Sequence, residues 1–135
     1  MDEINWETGE GLLAVDDPIE VDDAFARNEK HVGIAVVGLA LNNEDLDAVA
    51  PRVVRAIESE DVETRRLGFT AAGHTARLFG VLDPRIEQAL HRFRNDGIAA
   101  TALDDVLQYV TFRQLPCWLQ AESVRRKLRW WILRR

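Results

Sequence analysis

The chain repeats itself. Val32-Gly33-Ile34-Ala35-Val36-Val37-Gly38 returns 35 positions later as Leu67-Gly68-Phe69-Thr70-Ala71-Ala72-Gly73, and Pro51-Arg52-Val53-Val54-Arg55-Ala56-Ile57 returns 33 positions later as Pro84-Arg85-Ile86-Glu87-Gln88-Ala89-Leu90. Self-similarity at this spacing marks a stack of helical pairs, each burying its apolar face against the next. A repeat of this kind restricts the fold to an all-α superhelix of hairpins, here with about six helices and no sheet.

Hydrophobic periodicity places the elements. Asp16-Asp17-Pro18 reads as a helix start, with Pro at the first helical position and Glu20, Asp22 and Asp23 near the positive end of the dipole. The apolar stretch that follows to Leu41 is too long for a buried strand and reads as helix, closed by Asn42-Asn43. Leu46, Val49, Val53 and Ile57 lie on one helical face. Pro51 interrupts that face, so the continuous helix is expected to start near Pro51 after a turn at 44–49. Ser59 is expected to cap the next helix, whose stripe is Phe69, Ala72, Ala76 and Phe79 and whose stop is Gly80. Asp83-Pro84 opens a helix to about Asn95. Asp96-Gly97 breaks it, residues 98–112 resume, and Pro116 precedes a last helix with the stripe Trp118, Ala121, Val124, Leu128 and Trp131.

The 135 residues are divided as an irregular lead-in over 1–17, repeats over 18–112 and a basic capping helix over 113–135. Each interior glycine costs ~1 kcal/mol against alanine. Gly33, Gly38, Gly68 and Gly73 are therefore expected where helix axes approach closely, Gly73 facing a neighbouring helix.

Charge is split along the chain. The net charge is −6. Arg113 onward carries seven basic residues and one acid, Glu122, so the remainder stands at −12. An acidic body attracts cationic partners and repels nucleic acid, whereas a basic tail does the reverse. Cys117 is the single cysteine, which excludes an internal disulfide and a cysteine zinc site and suits a reducing cytoplasm. The acidic start Met1-Asp2-Glu3 is unlike a secretory signal, so a cytoplasmic protein is expected.

Ser59 to Arg66, then Ala71-Ala72-Gly73, then Asp83-Pro84-Arg85-Ile86 resemble HEAT-like repeats, and the likeness extends over residues 19–110. Within it, Leu39-Ala40-Leu41-Asn42, Glu58 to Arg66, Gly73 to Gly80 and Ala102-Leu103-Asp104-Asp105 are similar to small HEAT-like proteins encoded beside bacterial toxins. That resemblance implies an immunity protein that binds and neutralises a cognate toxin.

No catalytic constellation stands out, and the expectation is no enzyme, no cofactor and no metal. Gly33-x4-Gly38 lacks the Lys-Ser/Thr of a phosphate loop. His31, His74 and His91 lack metal-ligand spacing; His74 is read as a helix–helix hydrogen-bonding residue and Cys117 as a buried thiol. Adjacent carboxylates such as Asp104-Asp105 point ~100° apart and make no dyad. The candidate partner-binding residues are Asp16, Asp17, Glu20, Asp22, Asp23, Glu44, Asp45, Asp47, Glu58, Glu60 and Asp61, a carboxylate surface suited to the basic cleft of a toxin that cuts nucleic acid. The alternative is nucleic-acid or membrane-surface contact through residues 113–135, where Trp130 lies among arginines.

Overall fold

The computed structural model describes residues 3–134. Helices are α1 (Pro18–Ala26), α2 (Val32–Asn42), α3 (Leu46–Ile57), α4 (Val62–Phe79), α5 (Pro84–Arg92), α6 (Ala100–Tyr109) and α7 (Cys117–Leu133). Short 3-10 turns lie at Leu12–Ala14, Gly97–Ala99 and Phe112–Gln114. Among the described residues there is no strand.

Seven helices form rather than six because the stretch from Pro18 to Leu41 is divided. Asn28 adopts φ 56°, and the amides of Asn28 and Glu29 return to the carbonyls of Phe25 and Ala24. That left-handed residue closes α1 as a C-terminal cap would, and Asn tolerates the conformation better than most residues. Pro51 does not start α3; it lies inside it, and Asp45 is the N-cap, accepting from the Asp47 amide. Pro51 is exposed, so the carbonyl it orphans one turn earlier faces water rather than the core. Ser59 is likewise displaced as a cap. Asp61 caps α4 by accepting from the Thr64 amide and hydroxyl, while the Ser59 hydroxyl accepts from the Asp61 amide. Gly80 ends α4 at φ 67° and Asp83 caps α5, both as the sequence indicates.

The helices form two rows. In the odd row, Asp22 of α1 binds Arg52 of α3 through both carboxylate oxygens at 2.6 and 3.0 Å. Asp47 of α3 accepts from Arg85 of α5 at 2.8 Å, and Glu58, just after α3, pairs with Arg92 at the end of α5 at 3.4 Å. Starts pair with starts and ends with ends, so α3 and α5 run in the same direction. The row continues into the first turns of α7, where the Trp118 indole N–H donates to Glu87 of α5 at 2.6 Å. In the even row α4 packs on both α2 and α6, and it also closes the hairpin with α3. The core between the rows holds Leu39, Val49, Val53, Ile57, Phe69, Ile86, Leu90 and Val106, each at most 1% exposed.

Glycines set the spacing. A Cβ on Gly68 would stand 2.6 Å from the Ile57 nitrogen and 2.8 Å from the Ala56 carbonyl carbon, and one on Gly33 would stand 2.9 Å from the Leu67 Cβ. Gly38 faces the backbone of Leu12 and Leu13, and Gly73 faces the Asp105 carboxylate of α6. The glycine motif is thus a packing device, and Gly33 and Gly38 lie inside α2 rather than in a phosphate loop.

The last helix departs from its expected role as a cap. Leu119 is buried, but Val124, Leu128, Trp131 and Ile132 are 48%, 56%, 54% and 63% exposed. Trp118 and Leu119 in the first turn pack on the body, and Glu122 and Arg126 continue that side; Trp118 thus leaves the expected stripe, and Ala121, Val124, Leu128 and Trp131 lie on the other side. Cys117 is exposed, not buried.

Gly68→Ala is expected to destabilise the protein by ~1–3 kcal/mol through overpacking, despite the better helix propensity of alanine. Gly73→Ala should cost less, since a side-chain carboxylate can swing away where a backbone cannot. Melting curves of the two variants check the order.

Candidate functional site: the acidic edge and the basic terminal helix

The eleven candidate carboxylates fall into three sets. Asp16, Asp17, Glu44, Asp45 and Asp47 gather where α1 and α3 begin, held together by Asn43, whose side-chain amide donates to the Asp16 carbonyl at 3.0 Å. Glu58, Glu60 and Asp61 lie at the far end of α3, ~20 Å away along the helix axis. Glu20, Asp22 and Asp23 lie between, on α1. The carboxylates thus flank the odd row rather than forming one patch.

Six of the eleven have structural work. Asp17, Asp45 and Asp61 are N-caps. Asp22, Asp47 and Glu58 make the cross-helix pairs. The hydrogen bonds from Thr64 hold the Asp61 carboxyl below the usual range. Asp16, Glu20, Asp23, Glu44 and Glu60 make no side-chain hydrogen bond or ion pair among the described residues. Asp23 and Ile19, the latter 60% exposed, lie on the outward side of α1, with the half-buried Glu20 at its edge and Asp16 just ahead of the helix. Arg27 follows on the same side, but its guanidinium is turned towards Glu29 and lies 5.6 Å from the centre of the Trp6 ring.

Asp83 and its arginine were not legible as a centre in the sequence. The Asp83 side chain is only 6% exposed, yet it caps α5 and takes two bonds from Arg85, which reaches on to Asp47. These bonds from Arg85 keep the carboxyl below its ordinary value against the opposing effect of burial. The Asp-Pro-Arg order around Pro84 is the only hint the sequence carries.

The histidines are scattered. The His31 ring contacts the Glu7 carbonyl at 3.1 Å, and His91 lies against Trp118 with ring centres 4.7 Å apart. His74 pairs with Arg77 of its own helix at 3.0 Å, so its hydrogen bond is within α4 rather than between helices. Burial and the neighbouring Arg77 lower its pKa, favouring the neutral ring. Among the described residues no three His, Cys, Asp or Glu side chains are placed to hold a metal ion.

A cleft of about 600 Å³ opens where the α5–α6 loop meets α7, between Arg94, Asp96, Trp118, Glu122, Arg125 and Arg126. Its arginines are largely engaged: Arg94 with the His91 carbonyl, Arg125 with Glu122, and Arg126 with both Glu122 and Asp104. The sequence shows the arginines but not the loop that faces them. Beyond the cleft, α7 carries the exposed apolar stripe flanked by Arg125 and Lys127, with Arg134 lying over the Trp130 ring at 4.5 Å. No described helix is long and apolar enough to cross a membrane.

Asp83→Asn should lower stability at pH 7 by ~1–2 kcal/mol, the worth of a charge-assisted bond to arginine. Because the folded pKa is depressed, that difference is fully present above the unfolded carboxyl value, ~3.9. It disappears as pH falls through the lower folded value, where Asp83 also becomes neutral. Denaturant unfolding of both proteins between pH 7 and pH 2.5 measures the convergence. His74→Gln, by contrast, should leave the protein's biological effect within a few-fold while the fold persists; complete loss in a folded variant would make this histidine functional.

No family model, curated protein or solved structure matches this chain.

Proposed function

We propose that this is a non-catalytic binding protein that neutralises a basic protein partner, acting as a toxin-immunity protein in the cytoplasm on a HEAT-like helical stack. The observation that carries the reading is the set of carboxylates the fold leaves unused. Asp16 lies just ahead of α1, Asp23 on its outer side and the half-buried Glu20 at the edge of that side, at the end of the odd row where no further helix covers them. An uncovered end of a helical stack is a ready docking face. Carboxylates free of internal partners can steer a cationic surface into place and pair with it on contact. The wide scatter of the histidines and the lone exposed thiol also favour binding over chemistry.

The unused carboxylates separate recognition from stability in a way the full set of eleven does not. Reversing Glu20 and Asp23 to Lys should slow association and weaken protection while leaving the melting temperature within a few degrees. Reversing Asp22 should lower the melting temperature instead, because two cations would then meet at Arg52. Co-expression with the product of the adjoining reading frame, scored for growth, together with melting curves, tests both. Full protection by the Glu20→Lys/Asp23→Lys protein would remove α1 from the interface.

A second reading, an adaptor working through the basic residues 113–135 on nucleic acid or a membrane surface, is favoured by one observation: Val124, Leu128 and Ile132 of α7 are exposed beside Arg125 and Lys127. Salt separates the readings, since retention on heparin belongs to the basic tail and salt-sensitive capture of a basic protein belongs to α1.

A further inference from the structure

Helix α7 is amphipathic in an unusual sense. Its 17 residues span ~25 Å. Leu119 is buried in the body, Trp118 reaches Glu87, and Arg126 is held by Glu122 and Asp104. Those residues define the side turned inward. At 100° per residue, Cys117, Ala121, Val124, Leu128 and Trp131 fall on the opposite side, stepping by four, three, four and three. The stripe therefore points directly away from the protein that carries it. Arg125 and Lys127 flank it on either side, both exposed. In the last turn Trp130, Trp131, Ile132 and Leu133 are 54% to 78% exposed and face every direction around the helix.

We infer that α7 is a docking helix for an anionic lipid surface, lying in the headgroup plane with Val124, Leu128 and Ile132 dipping into the acyl boundary. This rests on the second reading above and not on the acidic outer face of α1. Three features select a bilayer over another occupant. A second copy docked stripe to stripe would set Arg125 and Lys127 against their own like charges. A second copy docked through α1 would meet Glu20 and Asp23, which match the charge but offer little beyond Ile19 to cover the stripe. Apolar side chains radiating around the last turn suit a fluid medium better than a groove of fixed shape, and tryptophan with arginine is the pairing that settles at the interface of lipid and water. The distribution of charge also orients the molecule. The basic helix lies at the end of the odd row and the unused carboxylates of α1 lie at the other, so docking through α7 holds the acidic end away from an anionic surface.

The test uses the full chain and vesicles of phosphatidylcholine alone or with phosphatidylglycerol. Co-sedimentation and a blue shift of tryptophan emission are expected with the anionic vesicles, rising with phosphatidylglycerol content and falling with salt, and little of either with phosphatidylcholine alone. Leu128→Asp and the pair Arg125→Glu/Lys127→Glu should each reduce partitioning at least about tenfold. Both change exposed side chains, and far-ultraviolet circular dichroism should stay at the wild-type level. Absence of binding to anionic vesicles at low salt overturns the proposal. Retention on heparin in that case would leave the basic tail as a nucleic-acid contact. Equal vesicle binding by Leu128→Asp would also overturn it, since charge alone would then hold the protein. A concentration-dependent dimer that dissolves in Leu128→Asp, without vesicle binding, would assign the stripe to a second copy.

Discussion

The closeness of α4 to its neighbours is the constraint on which the rest of the structure depends. Gly68 brings its backbone against the end of α3, and Gly33 lets α2 lie on Leu67 from the other side. Gly73 then admits α6 up to Asp105. A methyl group at Gly68 or Gly33 would force helices apart, and the thin core of valines and alanines between the rows could not fill the space opened. The glycines lose helix propensity so that small side chains can make a dense interior.

Given that spacing, the odd row needs its own fastening, because its helices meet mainly at their rims. Arginine provides it. Arg52, Arg85 and Arg92 each reach back to a carboxylate on the preceding helix or its end, so successive hairpins are joined by the same type of bond. These pairs are partly exposed, and each one's value in stability is modest. Their geometric effect is larger: a forked guanidinium held by two oxygens, as at Asp22, fixes the register of one helix on the next. The same bonds consume acids that a sequence reading assigns to a partner.

The two ends of the stack differ in chemistry for a physical reason. Interior hairpins have both flanks covered and so must be apolar or internally paired there. End helices have one flank in water, free to carry charge or an apolar stripe without a folding cost. In α1 that freedom holds Glu20 and Asp23; in α7 it holds Leu128 and Ile132 between Arg125 and Lys127. The molecule is consequently polar along the row, acidic at the first helix and basic at the last, and its unpaired surface chemistry is concentrated where the fold makes the fewest demands.

Repetition and periodicity by themselves determined the all-helical class and most of the core. They also determined the caps at Asp17 and Asp83, the stop at Gly80 and the packing role of the paired glycines. These are local or near-local matters, set by backbone conformation and the 3.6-residue turn. The break at Asn28 escaped because its left-handed turn is stabilised by bonds back to α1 that composition does not announce. Pro51 escaped because whether a proline is tolerated depends on which side of the helix faces water. Only the tertiary structure decided which carboxylates are structural and which are free, since a charge acquires a partner from another helix some thirty residues away. It alone decided that the stripe of α7 points outward: the sequence shows an apolar side and a basic one, but nothing in their spacing says which the body will cover.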